Sequence, residues 1–307
     1  MDLLSILLII AGLVLFETIT SIDNAIINAE VLSTMGERAK RWFLTWGLLI
    51  AVFAIRGLLA WLIVWMSTTS LGPLGALTAT FSSDPVVIAA IEQSAPILLM
   101  GGGTFLLFLF LHWLFLESKN FGLRGERYIA SKGVWFFAIV SVLLAGLVWF
   151  ALEKSPLIAF GAVVGSSTFF IVHGFRQNAE EAEKKMLHSS GMSDISKVFY
   201  LEVIDATFSI DGVIGAFAFT MSVPLILIGN GIGAFIVREL TIRNVDNIKK
   251  YRYLKNGAMY SICFLGIIMM MDSFGVKIPF WVSPIITFGV VGFFMVKSMR
   301  EIPRAEG

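Results

Sequence analysis

A single cysteine, three histidines and a charged fraction of 15% in 307 residues are the first shortages in this chain. Cys263 stands alone in an apolar run, which excludes an internal disulfide framework and any cysteine-rich metal site. With 57% of residues hydrophobic and a mean hydropathy of +0.84, there is too little charge to clothe a soluble domain. The chain reads as all-α, a polytopic transmembrane helix bundle forming a single domain over residues 1–307. Lys and Arg (23) nearly balance Asp and Glu (22), and nothing points to nucleic acid. The first apolar run has no basic stretch before it and no small-residue cleavage signature before Glu17, so a retained helix is expected.

About 20 apolar residues cross a bilayer as a helix, and that length predicts nine spans. They lie near 3–33, 42–67, 96–116, 134–152, 156–175, 198–221, 224–242, 256–272 and 279–297. Pro96, Pro156, Pro224 and Pro279 fall at or near span starts, where a missing amide donor costs least. The stretch "SDPVVIAAIEQS" predicts a short helix at the outer surface, with Asp84 as its N-cap.

Basic residues collect after every second span: Arg38, Lys40 and Arg41; Lys119, Arg124, Arg127 and Lys132; Arg176, Lys184, Lys185 and Lys197; five between Arg243 and Lys255; and Lys297, Arg300 and Arg304. Lys154 and Lys277 alone fall on the other side. The bias of Lys and Arg toward cytoplasmic loops then orients the chain in the cytoplasmic (inner) membrane, N-terminus outside and C-terminus in the cytoplasm. Segment 176–197 reads as a solvated helix extending the fifth span, with Glu180–Lys184 and Glu181–Lys185 pairs and Ser193 as cap of the sixth. It is also the surface a cytoplasmic protein partner would use if the chain were a non-transporting scaffold.

Two stretches inside apolar runs carry acids at one spacing: "ETITSIDNAI" from Glu17 and "DATFSIDGVI" from Asp205. Glu17 aligns with Asp205, Asp23 with Asp211, and Ser21 with Ser209. In the next span of each copy a glycine precedes an arginine by nine residues, Gly47 before Arg56 and Gly229 before Arg238. Repeat one is about 3–67 and repeat two about 198–245. With the orientation above they run in opposite directions, an inverted repeat of the kind that places transport sites near the midplane.

Six ionisable groups facing lipid would cost on the order of 15–20 kcal/mol at about 2.5–3.5 each, so they face inward. At 100° per residue, Glu17, Thr20, Ser21, Asn24 and Asn28 form a polar stripe, and Asp205, Ser209, Gly212 and Ala216 a facing stripe of small residues. Asp23 and Asp211 lie about 120° from the first acid on an unbroken helix. Either the helix is interrupted there, or they point sideways toward Arg56 and Arg238. Carboxylates with Ser, Thr and Asn oxygens make a hard site suited to Mn2+, Ca2+ or Mg2+ rather than Zn2+ or Cu+. Four acids against two arginines leave a formal −2, which one divalent cation neutralises. Protons can take its place, because burial favours an uncharged carboxyl. The metal set is Glu17, Asp23, Asn24, Asp205 and Asp211, supported by Ser21, Ser209, Arg56 and Arg238. The metal is substrate, exchanged for protons, and no cofactor or enzyme activity is expected.

These residues resemble the TerC family of integral membrane proteins, named for tellurium resistance and related to a broader lysine-exporter-like superfamily. Its hallmarks are an early E-x-x-L-S-x-D-N, a later D-x-x-F-S/A-x-D-S and intramembrane arginines. Glu17, Ser21, Asp23 and Asn24 fit the first, with Thr20 for Leu; Asp205, Phe208, Ser209 and Asp211 fit the second, with Gly212 for Ser. The resemblance covers the two repeats, not the region from about 68 to 195. It implies metal-ion export, Mn2+ above all, with looser links to tellurite and Ca2+. A proton-coupled exporter of a small solute is the lesser transport alternative.

The "YD" and "GxGD" strings of aspartyl intramembrane proteases are absent, which disfavours a hydrolase. His173, at the end of the fifth span, offers a proton relay or an added ligand, against the commoner reading of a helix-end histidine with neither role; His112 and Glu117 read as snorkelling to the interface, and Met269–Met271 as lipid-facing filling.

Overall fold

No water reaches the hydrocarbon layer to bond a free N–H or C=O, so a chain this apolar closes its backbone bonds within helices. The computed structural model describes residues 2–78, 85–118, 122–188, 193–248 and 250–301, and among them every regular element is helical. They begin with α1 (Leu3–Thr20) and α2 (Ile22–Ser33). Next, α3 (Glu37–Trp42) runs through two stretches of widened i→i+5 turns, Phe43–Gly47 and Ile50–Gly57, into α4 (Leu58–Ser67). There follow α5 (Gly72–Thr78), α6 (Pro85–Leu116), α7 (Arg124–Ala130), α8 (Phe136–Lys154) and α9 (Pro156–His188). The chain closes with α10 (Asp194–Ala216), α11 (Val223–Ile248), α12 (Leu254–Ser273) and α13 (Val282–Glu301).

Among the described residues eight helices are long and apolar enough to cross a bilayer, the run Glu37–Ser67 counting as one. The crossing expected at 198–221 falls on α10, which at 23 residues is about 35 Å long. Its acids, Asp194, Glu202, Asp205 and Asp211, set it apart from those eight.

One open choice closes and two expectations change. The run 3–33 is two helices meeting at Ser21, the interruption that was one of the two alternatives for this motif. Thr18 Oγ1 donates to the Val14 carbonyl (2.6 Å) and Thr20 Oγ1 to that of Phe16 (2.9 Å), and hydroxyls turned back on their own helix bend it. Pro96 does not start a span, and the stretch just before it is not a separate surface helix. Residues 85–95 are the first turns of α6, which runs through Pro96 to Leu116. Ending a helix within the apolar layer would strand several backbone groups, whereas spanning helices tolerate proline. Met269 and Met270 do not face lipid but are buried over Gly102 and Gly103. Asp84, and the side chains of Glu180, Lys184 and Lys185, lie outside the described residues. Ser193 caps α10 as expected, accepting from the Ser196 amide at 3.3 Å.

Helix α6 packs along α12 on one side and α9 on the other, and α1 lies along α11. The α6–α9 approach is set by Gly161 and Gly165, one turn apart. A Cβ at Gly161 would stand 2.6 Å from the Ile97 carbonyl oxygen, the close backbone contact that small residues allow between spanning helices.

Candidate functional site

Where α1 bends, the carboxylate of Glu17 is 1% exposed and lies against the guanidinium of Arg56, itself 3% exposed. Arg56 Nη2 is 2.9 Å from Glu17 Oε1, and the Ser21 hydroxyl donates to the same oxygen at 2.8 Å. The other arm of the guanidinium reaches α10: Arg56 Nη1 is 3.6 Å from Asp205 Oδ2. Asn24, on the first turn of α2, donates from Nδ2 to Asp205 Oδ1 at 2.7 Å. Arg56 is carried by one of the two widened stretches, a form of turn often found at functional sites.

Arg238 on α11 meets the cluster from the opposite side. Its Nη2 is 3.9 Å from both Asp205 Oδ2 and Glu202 Oε1. It donates from Nη1 to the Phe43 carbonyl (2.6 Å), with the guanidinium 4.3 Å over the Phe43 ring. Phe43 opens the other widened stretch, so both irregular segments hold an arginine in the cluster.

Glycine makes the room. A Cβ at Gly212 would stand 2.6 Å from Glu17 Oε2, and one at Gly233 would stand 2.7 Å from Glu17 Cβ and 2.9 Å from the Val14 carbonyl oxygen. The Gly212 departure from the TerC-like pattern thus leaves the space in which the Glu17 carboxylate sits. Gly47 does the same for Glu202.

Several buried oxygens have no hydrogen-bond partner: Glu17 Oε2, Asn24 Oδ1, Asn28 Oδ1 and both oxygens of Glu202. Asn24 and Asn28 line a cavity together with Ser21, Arg56, Asp205 and Arg238, with about 20 Å³ open to the centre of a water molecule. That is room for one water or one small ion.

Over residues 22–305 the chain matches the family described as "Protein of unknown function (DUF475)". The chain belongs to that family. No curated protein and no solved structure matches it.

The acids of the DUF475 chain are sorted differently from the sequence pattern. Glu17, Asn24 and Asp205 come together with both arginines. Asp211 leaves them: it pairs not with Arg238 but with Arg176 of α9, at 2.6 Å. Arg176 lies, as expected, on the helical extension of the fifth span, but its side chain is turned to Asp211 rather than fully solvated. Six residues past Asp205 on an unbroken α10, Asp211 faces about 120° away and so meets a different neighbour. The side chain of Asp23 lies outside the described residues. The Ser209 hydroxyl turns back to the Asp205 carbonyl at 2.5 Å and does not reach the cluster. Glu202 was missed because it aligns with Val14 and has no counterpart in the first copy; an acid one turn before Asp205 was the available signal. Among the described residues no group of three or more His, Cys, Asp and Glu side chains is arranged to hold a metal ion. The arginines stand between the acids instead.

Proposed function

We propose that this chain is a secondary transporter that exports a divalent cation in exchange for protons, with Mn2+ as first candidate cargo. The observation that carries the reading is the pair of partnerless buried oxygens of Asn24 and Asn28, on residues that line an ion-sized cavity, with the partnerless Oε2 of Glu17 in the same cluster at the bend between α1 and α2. Buried polar atoms ordinarily have partners, and these donors are all hard oxygens, which suit Mn2+, Ca2+ and Mg2+. The cargo set is Glu17, Asn24, Asn28 and Asp205. The resemblance to the TerC family favours Mn2+ among the three.

The arginines give the site its exchange character. Glu17, Glu202 and Asp205 against Arg56 and Arg238 carry a formal −1, so the acids hold one further positive charge. A divalent ion entering the cavity competes with Arg56 for Glu17 and Asp205, and its departure lets the guanidinium return. Access from either face alternates about the two acid-bearing helices, α1 and α10, which we read as equivalent members of an inverted repeat, N-terminus outside. The resting −1 also favours a second reading, a monovalent cargo.

Purified protein in liposomes, loaded outside with Mn2+, Ca2+, Mg2+ or Na+ and given a pH gradient, separates these readings. Gradient-dependent Mn2+ movement that Asp205→Asn abolishes is expected. Absence of flux for all four ions, together with no thermal stabilisation by any of them in detergent, overturns the transporter reading.

A further inference from the structure

A second, half-buried polar group lies around α10 from the Arg56 cluster. His112 of α6 and His173 of α9 bring their rings together with centroids 3.9 Å apart, inclined at 54°. Phe136 of α8 stands edge-on to His112, and Phe169 stacks nearly parallel on His173. The polar and charged groups facing the pair come from three helices. On α9, Gln177 Nε2 is 3.2 Å from His173 Nε2, and Arg176 lies beside it. Asp211 of α10 holds Arg176 at 2.6 Å. From the end of α6 comes Glu117, itself paired with Lys255 of α12 at 2.6 Å. One oxygen of Asp211, Oδ1, is buried without a hydrogen-bond partner.

Two imidazoles in contact take one proton between them, since two imidazolium charges at this separation repel, the more so where the rings are half-buried and screening by water is reduced. Imidazole also titrates in the range where cellular pH gradients operate. A proton on His173 sets a second positive charge beside Arg176, which is ion-paired with Asp211. Asp211 stands on the helix that carries Asp205 six residues earlier. Proton occupancy of the pair is therefore felt by the helix that holds the cargo acid.

We propose that His112 and His173 together bind the exchanged proton, at a site separate from the cargo site and linked to it through Arg176, Asp211 and α10. This rests on the exchanger reading above, and the test has one arm that does not depend on it. Only three histidines occur in the chain, so protein labelled with 15N-histidine gives three resolvable imidazoles. His112 and His173 are expected to titrate as a coupled pair taking one proton between about pH 5 and 8. His112→Gln is expected to reduce this to an ordinary single-site curve, and Asp211→Asn to shift it, while Glu17→Gln leaves it in place. In liposomes, His173→Gln is expected to keep downhill Mn2+ flux and lose gradient-driven flux by about tenfold or more. Independent titration of the two rings, no protonation of either across that range, or unchanged gradient-driven flux in His173→Gln overturns the proposal. If the wild type moves no cation, the exchanger reading fails, and the titration still decides whether the pair is a shared proton site.

Discussion

Arg56→Met removes the guanidinium and keeps most of the side-chain volume. Arg56 bridges two acids on different helices, Glu17 at 2.9 Å and Asp205 at 3.6 Å. Without it Asp205 retains Asn24 at 2.7 Å and Arg238 at 3.9 Å, whereas Glu17 keeps only the Ser21 hydroxyl at 2.8 Å. Most of the damage therefore falls on Glu17. Removing one member of a buried ion pair costs about 3–5 kcal/mol, because the other is left as an uncompensated charge. Glu17→Gln in the same chain removes that charge, so the double variant is expected to recover much of the loss. A double-mutant cycle should then give a coupling of about 2–3 kcal/mol, within the range for directly contacting residues. The assay is reversible unfolding in mixed detergent micelles for wild type, both single variants and the double variant at one pH. A coupling below about 0.5 kcal/mol, the scatter of independent sites, refutes the pairing of Glu17 with Arg56.

The two glycines around Glu17 predict an order of damage. Gly233→Ala places its methyl against Glu17 Cβ and the Val14 backbone, which cannot easily give way, and is expected to destabilise by about 2–3 kcal/mol; Gly212→Ala meets only the movable end of the carboxylate and should cost about 1 kcal/mol. Equal melting temperatures for the two variants would count against the observed geometry. Asp205→Asn is expected to abolish thermal stabilisation by Mn2+, whereas Asp211→Asn, acting on the Arg176 side, keeps at least half of it; equal loss in both would return Asp211 to the cargo site. Ser21→Ala, which deletes one hydrogen bond to Glu17 Oε1, should cost about 1 kcal/mol in the same unfolding assay.

Much of the architecture was legible because it follows from local quantities. Bilayer thickness sets span length, and the run lengths at 134–152, 156–175 and 256–272 correspond to α8, α9 and α12. The cost of a charge in hydrocarbon singled out six groups; the fold gathers Glu17, Arg56, Asp205 and Arg238 into one cluster, sends Asp211 to Arg176, and the side chain of Asp23 lies outside the described residues. Stripe geometry set Glu17 and Gly212 on two stripes expected to face each other, and in the fold a Cβ at Gly212 would stand 2.6 Å from Glu17 Oε2.

By itself the sequence determined that this is a helical membrane protein with ionisable groups turned inward, since length and burial cost need no knowledge of neighbours. Which acid meets which arginine was decided by the tertiary structure alone. The bend at Ser21 and the widened turns around Phe43 and Arg56 change the angular step between residues, so side-chain direction no longer follows from counting at 100°. Asp211 found Arg176, and Glu202 joined Arg238, because α9 and the stretch at Phe43 happen to stand beside α10. Adjacency of that kind comes from packing, where glycines such as Gly161 and Gly165 let two backbones touch, and packing is a property of pairs of helices rather than of any one segment.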